Sequence, residues 1–220
     1  MGRHILILLA CLAMTVIQAP PVFAGEEVPV IEDDEEYRVF AAVLFPNAPE
    51  IPDEIRNDPL RRGAYLSQRP RLDGLGLGNG FDVVQEATEE TQRMRPADNE
   101  ADASLREDFN RKNEKRGRLV KEKLLAILPK NHNVRIITEE EMTELFRSKG
   151  GWNEFRKRNP FAGGIKSFSR VGFDSERMRA VVFVRHQAGS EMGVGYRIYL
   201  HKSATSGKWI ITGSVLTYIS

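Results

Sequence analysis

The sequence predicts an α+β fold in which helices pack on one face of a C-terminal four-stranded antiparallel sheet. Three observations lead there. From Lys166 onward the chain reads as strand-like runs separated by turn residues. Within those runs apolar and polar side chains alternate, as a sheet with one covered and one partly wet face requires. Between Ser104 and Asn159 the apolar residues instead recur at helical spacing behind capping residues.

Residues 1–24 have the three parts of a secretory signal: Arg3, the apolar run Ile5–Ile17, and Val22-Phe23-Ala24 before Gly25. The apolar run is short for a bilayer span, which counts against an uncleaved anchor. Leu8-Leu9-Ala10-Cys11 loosely resembles a lipid-attachment box, but the apolar character continues past Cys11. The expectation is therefore export to a periplasmic or extracellular space, in a bacterial envelope, with no stable membrane anchor after cleavage. Cys11 is the only cysteine, so cleavage after Ala24 predicts a cysteine-free mature chain without disulfides or thiol chemistry. No Asn-x-Ser/Thr sequon occurs.

Residues 25–45 read as an acidic lead-in and a first helix. Asp33 and Asp34 suit its N-terminus, Tyr37, Phe40, Ala41, Leu44 and Phe45 fall at helical spacing, and Pro46 stops it. Residues 46–103 form a Pro/Gly-rich segment expected to be irregular, with glycines crowded between Gly74 and Gly80 and one short strand at Phe81–Gln85. Residues 104–220 form the α+β domain. Ser104 and Glu107 make a capping-box pattern before a helical stretch that Gly117 divides and Pro129 closes. Val134–Ile137 reads as a short strand. A second capping box, Thr138 with Glu141, opens a helix carrying Met142, Leu145 and Phe146, and Trp152 and Phe155 lie on another.

The four expected strands are Lys166–Phe173, Arg179–His186, Gly195–Lys202 and Lys208–Tyr218. Ala180, Val182 and Val184 should face one way, with Arg179, Phe183 and Arg185 opposite. Tyr196, Ile198 and Leu200 likewise oppose Arg197, Tyr199 and His201.

The C-terminal half carries an ordered series: Trp152-x-x-Phe155, Asn159-Pro160, Ser169-Arg170-Val171-Gly172-Phe173, Ala180-x-Val182, Gly193-x-Gly195-Tyr196, Leu200-x-Lys202 and Gly207-Lys208-Trp209. Phe109-x-x-x-Asn113 lies upstream of it. The series resembles a group of uncharacterised bacterial secreted proteins with a Ser-Arg-Val-Gly-Phe strand followed by a Gly-x-Gly-Tyr and Gly-Lys-Trp β-meander. The resemblance covers residues 104–220. It implies the fold and the exported address, and it supplies no catalytic residues. Some of these proteins carry cysteines before the glycine-rich strand, whereas Gln187–Met192 here has none, so no disulfide carries over.

Net charge is +1, but it is unevenly spread: residues 151–220 hold 11 Lys/Arg against 4 Asp/Glu. That basic half either packs on the acidic remainder or offers a surface to an anionic ligand or an acidic protein. Export makes nucleic acid an unsuitable partner. Chemistry is sparse. His132, His186 and His201 lack zinc-hydrolase spacing and read best as surface or loop residues. Ser169 has no Gly-x-Ser-x-Gly elbow. The Gly74–Gly80 run lacks the Lys-Ser/Thr of a phosphate loop. Glu139-Glu140-Glu141 suits a helix N-terminus, and Trp152, Trp209 and Tyr196 read as core. No cofactor or metal is indicated.

The basic sheet face is what remains: Arg179, Arg185, Arg197, Tyr199 and His201, with Arg170 nearby. The expectation is a non-enzymatic ligand-binding or protein-interaction module using that face or the cleft beneath it. The alternative is a hydrolase of low motif content, working through Ser169 or a histidine.

Overall fold

The computed structural model describes residues 28–46, 81–89, 91, 93–95, 103–130, 132–147 and 150–219. The signal segment 1–24, the lipid-box reading and the Gly74–Gly80 run lie outside those residues, as does most of the Pro/Gly-rich segment. The chain carries one cysteine, Cys11, also outside them. This corrects the cysteine-free description: the chain has a single thiol.

Helix α1 (Asp34–Leu44) opens where the acidic pair placed it, with the Asp33 carboxylate accepting from the Glu35 amide at 3.0 Å. It is covered on nearly every side, because Val39 and Val43 are as buried as Tyr37, Phe40 and Leu44. Each such fully buried side chain contributes about 1.5–3 kcal/mol relative to exposure. Strand β1 is Phe81–Gln85. Helices α2 (Ala103–Lys112) and α3 (Lys121–Ile127) follow, divided around Gly117. A Cβ on Gly117 would meet Arg170 Cδ at 2.7 Å and Ile31 Cγ1 at 2.8 Å, so the break is also a point of close packing. Strand β2 is Asn133–Ile137.

Helix α4 (Glu139–Arg147) starts with the capping box in place, Thr138 N donating to Glu141 Oε2 and Glu141 N to Thr138 Oγ1. Helix α5 is Gly151–Arg158. The remaining strands are β3 (Ile165–Phe168), β4 (Gly172–Phe173), β5 (Arg179–Gly189), β6 (Met192–Lys202) and β7 (Trp209–Ile219).

The sheet differs from the expected one in three ways. It has seven strands rather than four, in the order β2-β1-β3-β5-β6-β7, with β4 beside β5. It is mixed rather than antiparallel, because β1 runs parallel to both β2 and β3. Its helices cover both faces. One hydrophobic cluster joins α1 and the start of α3 to Val84, Phe168, Ala180, Val182, Val184, Ile198 and Leu200. On the opposite face α2 packs against Val181 and Tyr199, while α4 and α5 pack against Val83 and Ile165. Neighbouring residues Val83 and Val84 thus serve opposite cores, as strand alternation demands.

The error has a physical source. A parallel pair needs a long crossover and leaves no turn signal in the sequence. Residues Asn133–Ile137 pair with Phe81–Gln85 across about fifty positions, so neither short strand announces its partner. The antiparallel meander β5–β7, joined by tight turns, was legible, and its side chains face as alternation assigns them.

The strand expected at Lys166–Phe173 is broken in two. Ser169, Arg170 and Val171 leave the ladder between β3 and β4, and both pieces pair with β5. Edge strand β7 carries two register shifts against β6. The extra residues are Thr212 and Thr217, whose hydroxyls donate to the carbonyls of Tyr199 and Gly195.

Candidate functional site

The Ser-Arg-Val break explains the motif that dominates the C-terminal half. Arg170 turns toward α1, where its Nε and Nη2 donate to the two carboxylate oxygens of Glu36 at 3.0 and 2.7 Å. Glu36 is fully buried and also accepts from the Val171 amide at 3.0 Å, with Lys112 Nζ 3.5 Å away. Burial alone would lower the Arg170 pKa. The hydrogen bonds and charge of Glu36, with the charge of Asp33 behind it, outweigh burial and raise it.

Asn113 brackets the break from α2, accepting from Arg170 N and donating to Arg170 O. Gly172 lies directly under α2: a Cβ there would sit 2.7 Å from Phe109 Cα and 2.8 Å from Phe109 N. Phe109, Asn113 and Ser-Arg-Val-Gly-Phe are therefore one docking joint between α2, α1 and the sheet. Arg170, placed near the basic face by the sequence, belongs to this joint on the other side of the sheet.

Ser169 is wholly buried, its hydroxyl donating to Arg170 O and accepting from Phe183 N. It is fixed on both sides, unlike a nucleophile. His186 and His201 do not meet. His186 lies opposite Val194 and Lys166, His201 opposite Arg179 and Ile210, on different faces of the sheet. His186 is buried rather than superficial, as is His132, whose Nε2 lies 2.8 Å from Asp82 Oδ2. Lys166 Nζ reaches the other Asp82 oxygen. This buried Asp82–His132–Lys166 cluster ties β1, β3 and the approach to β2, a link that sequence could not supply without the parallel pairing. Among the described residues no group of three or more His, Cys, Asp or Glu could hold a metal ion. No helix among them is long and apolar enough to cross a membrane.

The basic face resolves into separate sites. Arg179 is half exposed and donates to Asp174 Oδ2 at 3.0 Å. His201 is exposed, and Tyr199 is buried in the α2-side core. Arg185 and Arg197 instead converge on a cleft of about 420 Å³, within the size range of small-ligand sites. Arg93 and Arg95 join them there, with Glu89, Thr91, Phe109, Phe183, Thr217 and Tyr218 completing the lining. Four arginines and one glutamate line it.

Two architectural facts shape the cleft. Its floor is an aromatic ring in place of a side chain: a Cβ on Gly195 would lie 2.8 Å from Phe183 Cζ and 3.1 Å from Tyr218 Cβ. Its wall is a strap, residues 86–89, 91 and 93–95, pinned by backbone and side-chain hydrogen bonds. Glu89 N donates to Phe168 O at 2.7 Å, and Met94 exchanges hydrogen bonds with the Asn110 side chain on α2. The strap holds Thr91, Arg93 and Arg95 over the sheet. Its polar composition gave a loop reading, and only the Met94 anchor, buried at 3% exposure, could have signalled that it docks.

The electrostatics of the cleft are incompletely answered. Arg185 Nη2 pairs with a Glu89 oxygen, and Arg93 Nη2 with Glu114 at 2.8 Å. Arg185 Nε and Thr91 Oγ1 are buried with no hydrogen-bond partner among the described residues. Buried polar atoms are nearly always satisfied; two of the unanswered ones belong to residues that line this cleft, while His132 Nδ1 and His186 Nε2 lie away from it.

The molecule is thus a three-layer protein with a mixed sheet between helices and an arginine-lined cleft beside its edge strand. Comparison with protein families, with curated proteins and with solved structures yields no match.

Proposed function

We propose that this chain is an exported, non-enzymatic binding module whose ligand is anionic and occupies the cleft between the strap carrying Glu89, Thr91, Arg93 and Arg95, α2 and strands β5–β7. The observation that carries the reading is the convergence of Arg93, Arg95, Arg185 and Arg197 on one cleft, where Arg185 Nε is buried with no hydrogen-bond partner among the described residues. Arginine suits the task, since its planar donors match carboxylate and phosphate oxygens. The apolar floor of Phe183, Phe109 and Tyr218 favours an anion with an apolar body over a bare inorganic ion. A small ligand is favoured over an acidic protein surface because the donors line a concavity. The address rests on residues 1–24, and it implies a periplasmic or extracellular bacterial setting.

Native mass spectrometry of the protein from its own envelope fraction tests address and ligand together. The expected species begins at Gly25 and carries a small anionic adduct. Full-length mass or a lipid on Cys11 refutes the cleavage. An Arg185→Glu, Arg197→Glu double variant should fold and lose the adduct. A folded double variant that retains it excludes the cleft as the site.

A further inference from the structure

We infer that Glu89 stands in for a carboxylate of the ligand at Arg185, so that the cleft selects a carboxylate joined to an apolar body and Glu89 is its built-in competitor. The inference rests on the cleft reading above and specifies the ligand.

The fold contains its own reference for a satisfied arginine. At Arg170 the Nε–Nη2 edge of the guanidinium meets both oxygens of Glu36, the two-pronged pairing that carboxylates make with arginine. At Arg185 the same edge is half used. Glu89 takes Nη2, while Nε is buried without a partner among the described residues. The difference follows from how each glutamate is held. Glu36 projects from a buried helix straight at Arg170. Glu89 sits on the strap with its amide fixed to Phe168 O at 2.7 Å, and its side chain pairs with Nη2 and leaves Nε unanswered.

A carboxylate entering from the cleft can take both Nε and Nη2, completing the edge that Glu89 leaves open. Glu89 then turns outward, where its partly exposed side chain has water to receive it. The exchange trades one carboxylate for another, so the arginine keeps an anionic partner throughout. Behind the charge, the Phe183 ring laid over Gly195 and the neighbouring Tyr218 offer a flat apolar surface.

The test is titration calorimetry of the full mature chain with acetate, benzoate and naphthalene-2-carboxylate, alongside naphthalene-2-phosphate. Wild type, Glu89→Gln and Arg185→Lys are compared, with Glu89→Ala as a second variant at the same position. Removing the competing charge should tighten carboxylate binding about tenfold. Arg185→Lys, which keeps charge but loses the fork, should weaken it about tenfold. Affinity should rise from acetate to the naphthalene carboxylate, and the Arg185 Nε–H resonance should move on binding.

Wild-type binding that Glu89→Gln and Glu89→Ala leave unchanged or weaken overturns the competitor role while sparing the cleft. Tighter binding of the phosphate than of the matching carboxylate overturns the selectivity. Binding of none of the four by wild type or either Glu89 variant overturns the inference and the cleft reading together.

Discussion

Two arginines, each facing a glutamate, divide this molecule. Arg170 and Glu36 sit where α1, α2 and the interrupted strand meet, and every donor on the shared edge is answered. Arg185 and Glu89 sit across the sheet, and the same edge is left half answered. Both residues lie on the basic C-terminal portion and look alike in the sequence. The first pair holds the fold together; the second leaves interaction capacity unspent. Satisfaction of hydrogen bonds, rather than charge, separates the two arginines.

The widest gap between the pairs should appear on removing each glutamate. Glu36→Ala strands a buried guanidinium, the Val171 amide and Lys112, and should cost about 3–5 kcal/mol. Glu89→Ala frees an arginine that can still reach water, and should cost at most about 1 kcal/mol. Urea unfolding of the two variants measures the difference. Equal losses would dissolve the contrast.

A smaller loss is expected at the joint itself. Gly172→Ala forces a Cβ against the Phe109 backbone and should destabilise by about 1–3 kcal/mol. Because the cleft draws Phe109 from the same helix, ligand affinity should fall with it. A stability loss with unaltered affinity would show that the two faces are mechanically independent.

The mildest effect is acid sensitivity. At Asp33, burial raises the carboxyl pKa, but hydrogen bonds from Arg177 and the Glu35 amide outweigh it and hold the group below its ordinary value. At Glu35, burial is likewise outweighed, by Lys202 and the Trp209 indole. A carboxyl lowered in the folded state stabilises above its unfolded pKa, and that contribution disappears as pH falls through the folded value. The urea midpoint should therefore hold level from about pH 7 to 5 and decline below about pH 4. An Asp33→Asn, Glu35→Gln variant should have a shallower decline. An unchanged slope would place the acid-labile groups elsewhere.

These contrasts also show what the sequence could disclose. Alternation along Arg179–His186 and Gly195–Lys202 put Arg185 and Arg197 on one face, and they do meet in the cleft. The same rule misplaced Arg170, because it assumes an unbroken strand and Ser-Arg-Val leaves the ladder. Tyr199 obeyed alternation yet is covered, since α2 packs on the face that was expected to be wet. Arg93, Arg95, Glu89 and Thr91 escaped notice because a strap held by backbone bonds and one buried methionine has no periodicity to read. The parallel half escaped because its pairing is set by crossovers, not by turns.

The Glu36–Arg170 pair has a further consequence, in time rather than space. Its partners are 134 positions apart, and Trp209, which binds Glu35 on the same helix, is 174 positions away. Helix α1 is covered both by the nearer α3 region, through Leu119, Leu124 and the Val120–Tyr37 hydrogen bond, and by these far partners. Contacts so distant must close a long loop before they return any energy. Completion of the α1 core is therefore expected late in folding, after the nearer contacts with α3 have formed.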